Sequence, residues 1–192
     1  MQKIENMNDE INLTQLNYPI NYRDIGRSVN NLMKRKILKE NKLFRSGSVE
    51  NVKFPYQIGY ARTIINFRSH EDDLQFDCVQ IHLPLSNTLK YDVQVLSVQQ
   101  WLNNFFLILQ NEKTKFPLLI HCLQGCDRTG VATAMLLKIL DIPINVIILE
   151  YGLSEFSCED KNKISETLKY SNDFIHLMDK AVIDSISRKL KY

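Results

Sequence analysis

The feature that most constrains the fold is an apolar strand that runs directly into a glycine-containing turn and then a helix. The strand reads Pro-Leu-Leu-Ile-His at residues 117–121, the turn contains Gly125, and helical spacing of apolar residues extends over 129–140. A wholly apolar strand of this kind is typical of a parallel sheet that is covered on both faces. We therefore expect this strand to lie inside the sheet.

Other segments predict strands and helices around this unit. Strands are expected over 62–67 and 79–83, where β-branched or alternating residues occur. Aromatic and aliphatic residues at helical spacing predict a packed helix over 93–111. Further expectations are a turn or hairpin over 32–42, a helix over 144–153, and one or two helices in the last thirty residues.

This alternation of strands and helices predicts a single α/β domain with a mostly parallel central sheet and helices on both faces. Residues 1–17 are polar and predict a loosely ordered arm or a short edge element, so the domain is assigned to 18–192. The sequence makes no prediction of oligomeric state.

Composition excludes several functional classes. The 24 basic and 22 acidic residues leave a net charge of +2, which gives no support for binding to nucleic acid or to a membrane surface. No apolar run approaches the roughly 18 residues of a transmembrane helix. The first fifteen residues lack the apolar core of a secretory signal, so a cytoplasmic location is expected, with signal-less secretion as an effector left open.

The four cysteines and four histidines do not predict a metal site. Cys78 and Cys158 are interpreted as small buried residues, and the cysteine spacing matches no zinc motif. A domain of this size needs no disulfides, so free thiols in a reducing compartment are expected. The histidines outside the turn, His70, His82 and His176, have no metal-ligand spacing, and no cofactor is expected.

The candidate catalytic and phosphate-binding residues cluster at 121–130, which read His-Cys-Leu-Gln-Gly-Cys-Asp-Arg-Thr-Gly. A short loop between a strand and a helix can direct successive amide groups inward, and with the helix N-terminus these bind a tetrahedral dianion. Arg128 can donate two hydrogen bonds to two phosphate oxygens. The predicted phosphate-binding residues are Leu123, Gln124, Gly125, Cys126, Asp127 and Arg128.

The same positive environment predicts a nucleophile at Cys122. Amides, helix dipole and guanidinium all favour the thiolate, which is then poised to attack phosphorus. The hydroxyl of Thr129 is expected near the sulfur, where it helps the thiolate leave in the second step. His121 is interpreted as a residue that hydrogen-bonds the loop backbone and fixes its shape, not as a general base.

This segment resembles the His-Cys-five residues-Arg-Ser/Thr signature of cysteine-dependent phosphatases. The chain is most similar to the bacterial tyrosine-phosphatase branch, which includes lipid-active members, and the similarity extends over about 21–155. The resemblance implies a tyrosine-phosphatase-like fold. The further matching segments are Asn-Tyr-Arg-Asp-Ile-Gly at 21–26, Leu-Phe-Arg-Ser-Gly at 43–47, Ile-Asn-Phe-Arg-Ser at 65–69 and Glu-Tyr-Gly-Leu-Ser at 150–154.

The chain departs from that branch at two positions. Cys126 occupies the place of a loop lysine, and Arg27 replaces a second glycine. Losing the lysine removes a charge that would face phosphate, which weakens the argument for a multiply phosphorylated inositol. Cys126 is interpreted as a passive small residue, with reversible disulfide formation to protect the nucleophile as the less favoured alternative.

Two carboxylates are candidates for the general acid that protonates the leaving group. Asp92 lies thirty residues before the nucleophile, where tyrosine and dual-specificity phosphatases keep their mobile acid, but it equally fits an N-cap. Asp127 lies inside the loop and is slightly favoured. Arg23 and Arg45 either line the pocket or form buried ion pairs.

The predicted function is a metal-independent phosphatase that acts through a phosphocysteine intermediate. Phosphotyrosine in a protein is the leading substrate, with phosphoserine and phosphothreonine as dual-specificity possibilities and a phosphoinositide lipid as the alternative. Rhodaneses and small arsenate reductases fit the loop spacing or position poorly. A phosphate-binding module without catalysis is the remaining alternative, and it is disfavoured because such modules typically lose the cysteine or the arginine.

Overall fold

Five short strands form one sheet in the computed structural model, which describes residues 18–155 and 161–192. The order across the sheet is β1-β2-β5-β3-β4; β1 and β2 are antiparallel, and the other pairs are parallel. The predicted apolar strand is therefore the central one. The strands are β1 (Arg23–Asp24), β2 (Leu43–Ser46), β3 (Thr63–Asn66), β4 (Val79–His82) and β5 (Leu118–His121).

Seven α-helices occur in the described ranges, together with one 3-10 helix at Pro55–Ile58. Three of them, α5 to α7, fall in the C-terminal part, where one or two were expected. The α-helices are α1 (Ile25–Met33), α2 (Leu96–Gln110), α3 (Asp127–Ile139), α4 (Ile144–Tyr151), α5 (Lys161–Tyr170), α6 (Asn172–His176) and α7 (Lys180–Leu190).

Different elements cover the two faces of the sheet. Leu118 and Ile120 of β5 point into the main core, which is packed against the α-helices. Leu119 points to the other face and packs in a smaller cluster beneath the 3-10 helix and its flanking loops. The alternation along β5 follows from the two-residue repeat of a strand. The predicted α/β class with a mostly parallel sheet is confirmed.

Helix α1 is not among the elements predicted above. Its N-cap is Asp24, whose carboxylate accepts hydrogen bonds from the Gly26 amide at 2.9 Å and the Arg27 amide at 3.3 Å. The same carboxylate also accepts a hydrogen bond from the Asn41 amide at 2.6 Å, so it links α1 to the residues that immediately precede β2. The proposed N-terminal arm at 1–17 lies outside the described residues. No helix in the described ranges is long and apolar enough to cross a membrane.

Candidate active site

The site begins where β5 ends, at a loop that joins the strand to α3. Cys122 is buried here and has a free thiol. Gly125 has a positive φ of 68°. A Cβ atom at this position would lie 2.3 Å from the carbonyl carbon of Ser46 and 2.4 Å from the nitrogen of Gly47. Glycine is therefore required for both backbone conformation and space.

The loop turns its carbonyl groups outward. The carbonyls of Leu123, Gln124 and Gly125 accept hydrogen bonds, each at 2.8 Å, from the Ser48 amide, the Asn21 side chain and the Arg45 guanidinium, respectively. In a trans peptide the following N–H points opposite to the carbonyl. The amides of residues 124–126 therefore face the inner side of the loop, where they form an anion-binding concavity.

A buried ion-pair network supports the loop from beneath. Glu150 on α4 accepts Arg45 Nη1 at 2.7 Å and Arg23 Nε at 2.8 Å, and the Arg45 and Glu150 side chains are 0% and 1% exposed. Arg23 also donates to the Ser154 hydroxyl at 2.9 Å. Of the two expectations for these arginines, the structure favours the ion pair.

The charges of this network determine each other's pKa values. Burial would raise the pKa of Glu150, but the guanidiniums of Arg45 and Arg23 together outweigh it and lower that pKa. Burial lowers the pKa of Arg45 to about 10, although Glu150 acts in the opposite direction. Arg45 therefore stays cationic at neutral pH.

Arg128 and Thr129, in the first turn of α3, carry buried polar atoms without partners in the residues that the structure describes. Arg128 Nη1 donates to the Phe67 carbonyl at 3.0 Å, while its Nε is buried without a partner in the described part of the chain. The Thr129 hydroxyl is also buried without a partner there. These unpaired groups suit a site that binds a polar ligand, because buried polar groups are normally hydrogen-bonded.

His121 contacts a residue that the sequence did not single out. Its Nε2 donates to Asp72 Oδ2 at 2.7 Å, and the two side chains are 0% and 3% exposed. Its Nδ1 has no partner among the described residues, so the expected bond to the loop backbone is not formed. No sequence pattern joins these positions, which are 49 residues apart.

The two candidate acids have different surroundings. Asp127, the first residue of α3, accepts the Tyr91 hydroxyl at 2.7 Å and lies 3.5 Å from Lys90 Nζ. Asp92 is exposed and accepts the Gln94 amide at 3.1 Å. It does not cap α2, whose N-cap is Val95. No hydrogen bond or ion pair joins Asp92 to the loop within the described ranges.

The structure corrects the expectation of free thiols. Cys126 is disulfide-bonded and 1% exposed, whereas Cys78 and Cys122 are free. Cys126 is thus neither a passive residue nor the bonded partner of the nucleophile. Cys78 is half-buried, and Cys158 lies outside the described residues. Within 18–155 and 161–192 no cluster of metal-ligating side chains occurs.

This constellation defines the cysteine-dependent phosphatase class: a cysteine at the end of a buried parallel strand, inward amides, and an arginine at the start of the next helix. Comparison with known sequences specifies the class. The pattern described as the tyrosine phosphatase family matches residues 14–188, and the chain belongs to that family. No curated protein matches by sequence.

Two solved structures have the same fold. One is the core catalytic domain of the PP-IP phosphatase Siw14 from S. cerevisiae in complex with citrate, with a TM-score of 0.60 and 16% identity over 83% of this chain and 92% of that chain. The other is the Siw14 catalytic core, with a TM-score of 0.55 and 20% identity over 79% and 90% of the respective chains. At these identities the likeness concerns the fold.

Proposed function

We propose that the protein hydrolyses phosphotyrosine in proteins through a phosphocysteine intermediate. The observation that carries the substrate choice is the pairing of the cations around the loop. Arg23 and Arg45 share Glu150, and Arg68 lies 2.5 Å from Glu50. Arg128 contacts backbone carbonyls and forms no ion pair within the described ranges.

This balance of charge suits a single phosphate group. One unpaired guanidinium and the inward amides match the two negative charges of a phosphate monoester. An inositol pyrophosphate, or a lipid headgroup with several phosphates, needs further uncompensated cations. The loop side chain of Leu123 is 56% exposed and Ile20 on the adjoining segment is 38% exposed, which favours an apolar substrate group such as a tyrosine ring.

In the first step, the Cys122 thiolate attacks phosphorus while Arg128 and the loop amides bind the non-bridging oxygens. The S–P bond forms and the bond from phosphorus to the tyrosine oxygen breaks. The electron pair of the broken bond stays on that oxygen, which takes a proton from the Asp127 carboxyl. Tyrosine leaves, and Asp127 becomes a carboxylate.

In the second step, water attacks phosphorus and loses a proton to Asp127. The P–O bond forms, the S–P bond breaks, and the electron pair returns to the sulfur. The Thr129 hydroxyl donates a hydrogen bond to the departing thiolate. Inorganic phosphate is released, and both the thiolate and the protonated carboxyl are regenerated.

The test measures phosphate release, with EDTA present, from a phosphotyrosine peptide, an inositol pyrophosphate and phosphoinositide vesicles. We expect the peptide to have the highest kcat/KM. Replacing the nucleophile in Cys122→Ser should reduce peptide turnover at least about a thousandfold. Thermal unfolding of that variant should match the wild type, because a hydroxyl replaces a thiol of similar size.

Each other result contradicts part of the proposal. Preference for the inositol pyrophosphate or the vesicles would reassign the substrate while keeping the cysteine mechanism. Equal turnover in wild type and Cys122→Ser would exclude the mechanism. Absence of turnover on every substrate, with stoichiometric binding of inorganic phosphate, would indicate a phosphate-binding module.

A further inference from the structure

The segment between β4 and α2 places two side chains against the first residue of α3. The hydroxyl of Tyr91 donates to Asp127 Oδ1 at 2.7 Å, and Nζ of Lys90 lies 3.5 Å from Asp127 Oδ2. Each oxygen of this carboxylate therefore faces a different group from the same segment. Neither Tyr91 nor Lys90 belongs to the phosphate loop, from which they are separated by more than 30 residues of sequence.

Tyr91 is itself held in place. Its carbonyl accepts the Thr167 hydroxyl of α5 at 2.8 Å, and its own hydroxyl lies 2.5 Å from the Tyr151 hydroxyl of α4. Because the proton of Tyr91 is directed to Asp127, Tyr151 must donate to Tyr91 in this pair. Burial, together with the hydrogen bonds of its hydroxyl with Tyr151 and Asp127, raises the pKa of Tyr91 strongly, so it remains a neutral donor.

Lys90 is unusual because its ammonium is enclosed. The residue is 4% exposed, and Nζ lies 5.4 Å from the centre of the Tyr91 ring. Burying a charge is costly unless it is paired, and the Asp127 carboxylate is the acid in reach. The Lys90 ammonium and the Tyr91 hydroxyl therefore both contact Asp127 from the segment between β4 and α2.

We propose that Tyr91 and Lys90 are positioning residues that hold the Asp127 carboxyl at the leaving-group oxygen. The proposal rests on the assignment of Asp127 as the acid. When Asp127 gives its proton to the tyrosine oxygen, it becomes an anion that the Tyr91 hydroxyl and the Lys90 ammonium stabilise. In this protein the segment after β4 thus positions the general acid. In tyrosine and dual-specificity phosphatases, whose acid lies where Asp92 lies here, the corresponding segment carries the acid itself.

The experiment uses the dependence of rate on the leaving group, because a general acid matters most when the leaving oxygen is strongly basic. Wild type and variants are assayed on a phosphotyrosine peptide and on p-nitrophenyl phosphate, whose leaving group departs without an acid. We expect Tyr91→Phe to lower kcat/KM, which covers the steps up to departure of the leaving group, roughly 10- to 100-fold on the peptide and less than about threefold on p-nitrophenyl phosphate. Asp127→Asn should show the same pattern with a larger loss.

Lys90→Met and Lys90→Arg form a matched pair. The methionine variant should resemble Tyr91→Phe, and arginine, which keeps the positive charge, should recover most of the peptide rate. Inhibition by orthovanadate reports the phosphate loop itself and should stay within about twofold of wild type in Tyr91→Phe and Lys90→Arg. If Lys90→Met does not fold, Tyr91→Phe alone decides the question.

The failure of this inference differs from the failure of the proposed function. Equal losses on both substrates in Tyr91→Phe would assign Tyr91 a purely structural role and overturn the inference. Equal losses in Asp127→Asn would remove Asp127 as the acid and overturn the inference, while peptide turnover that is lost in Cys122→Ser would leave the proposed phosphotyrosine hydrolysis standing. Selective loss on the peptide in Asp92→Asn, with Asp127→Asn unaffected, would place the acid on the segment after β4 and also overturn the inference.

Discussion

The tripeptide Phe-Arg-Ser occurs twice, at 44–46 on β2 and at 67–69 just after β3, and its two arginines have different surroundings. Both strands are neighbours of β5. The partner of Arg45 is Glu150, whose side chain is 1% exposed, whereas the nearest partner of Arg68, at 2.5 Å, is Glu50, whose side chain is 59% exposed; the buried Asp72 lies farther from Arg68, at 3.8 Å. Arg45 also donates to the loop carbonyl of Gly125, while Arg68 donates to the Ser48 hydroxyl.

The covering element makes the difference. Helix α4 lies over Arg45 and brings a carboxylate that is completely withdrawn from water. A surface loop carries Glu50, so water competes for the ion pair with Arg68. Identical local sequence thus yields an Arg45–Glu150 pair with a large desolvation cost and an Arg68–Glu50 pair that solvent replaces easily. Arg68 also keeps the buried carboxylate of Asp72 within 3.8 Å when the pair with Glu50 is lost. The energetic value of each pair follows from tertiary packing.

The sharpest test of this comparison is Glu150→Gln. Glutamine keeps the shape but removes the charge that compensates the buried guanidinium of Arg45 and the partly buried guanidinium of Arg23, so we expect the free energy of unfolding to fall by about 3–5 kcal/mol. Urea denaturation at pH 7 measures this loss. A loss below about 1 kcal/mol would mean that Arg23 and Arg45 reach water or other acceptors, and the contrast between the two pairs would disappear.

The pH dependence of stability sharpens the same point. The pKa of Glu150 is lowered in the folded protein from its ordinary value of 4.5. The ionised carboxylate therefore adds its full contribution to the free energy of unfolding above pH 4.5, and this contribution is lost as the pH falls through the folded-state pKa. The difference in stability between wild type and Glu150→Gln should therefore narrow below pH 4.5. Parallel urea titrations from pH 7 to pH 3 measure it, and a constant difference would contradict the prediction.

The smallest effect is expected for Glu50→Gln. An ion pair with one exposed partner contributes less than about 1 kcal/mol, and salt weakens it further. Unfolding at low and at high ionic strength should therefore show a small loss that shrinks as salt is added. A loss as large as that of Glu150→Gln would show that burial of the carboxylate does not separate the two pairs.

The parts of the fold and site that could be predicted from the sequence are local. The segment 117–140 contains its own apolar strand, its glycine and its helix, so the loop and the family resemblance were readable from contiguous residues. Helix α1 could also be predicted from the sequence, because Asp24 precedes apolar residues at Ile25, Val29 and Leu32 in helical spacing. The same residues, Asn-Tyr-Arg-Asp-Ile-Gly at 21–26, also match a family motif, which by itself does not indicate a helix.

The partners of the functional residues could not be predicted. Glu150 meets Arg45 across 105 residues, and Tyr91 meets Asp127 across 36. Such pairs depend on how α4 and the segment after β4 pack against the sheet, which local periodicity does not encode. The burial of Lys90 could not be predicted either, because a lysine in a loop is normally exposed.

The disulfide at Cys126 has a practical consequence for anyone handling the protein. Cys122 and Cys126 lie four residues apart, one as a free thiol and one as a bonded sulfur. A reductant that protects the nucleophile from oxidation also opens the bond beside Asp127. Buffers without reductant preserve that bond but leave the nucleophile open to oxidation to a sulfenic acid. The choice of buffer thus selects which chemical form of the loop an assay observes.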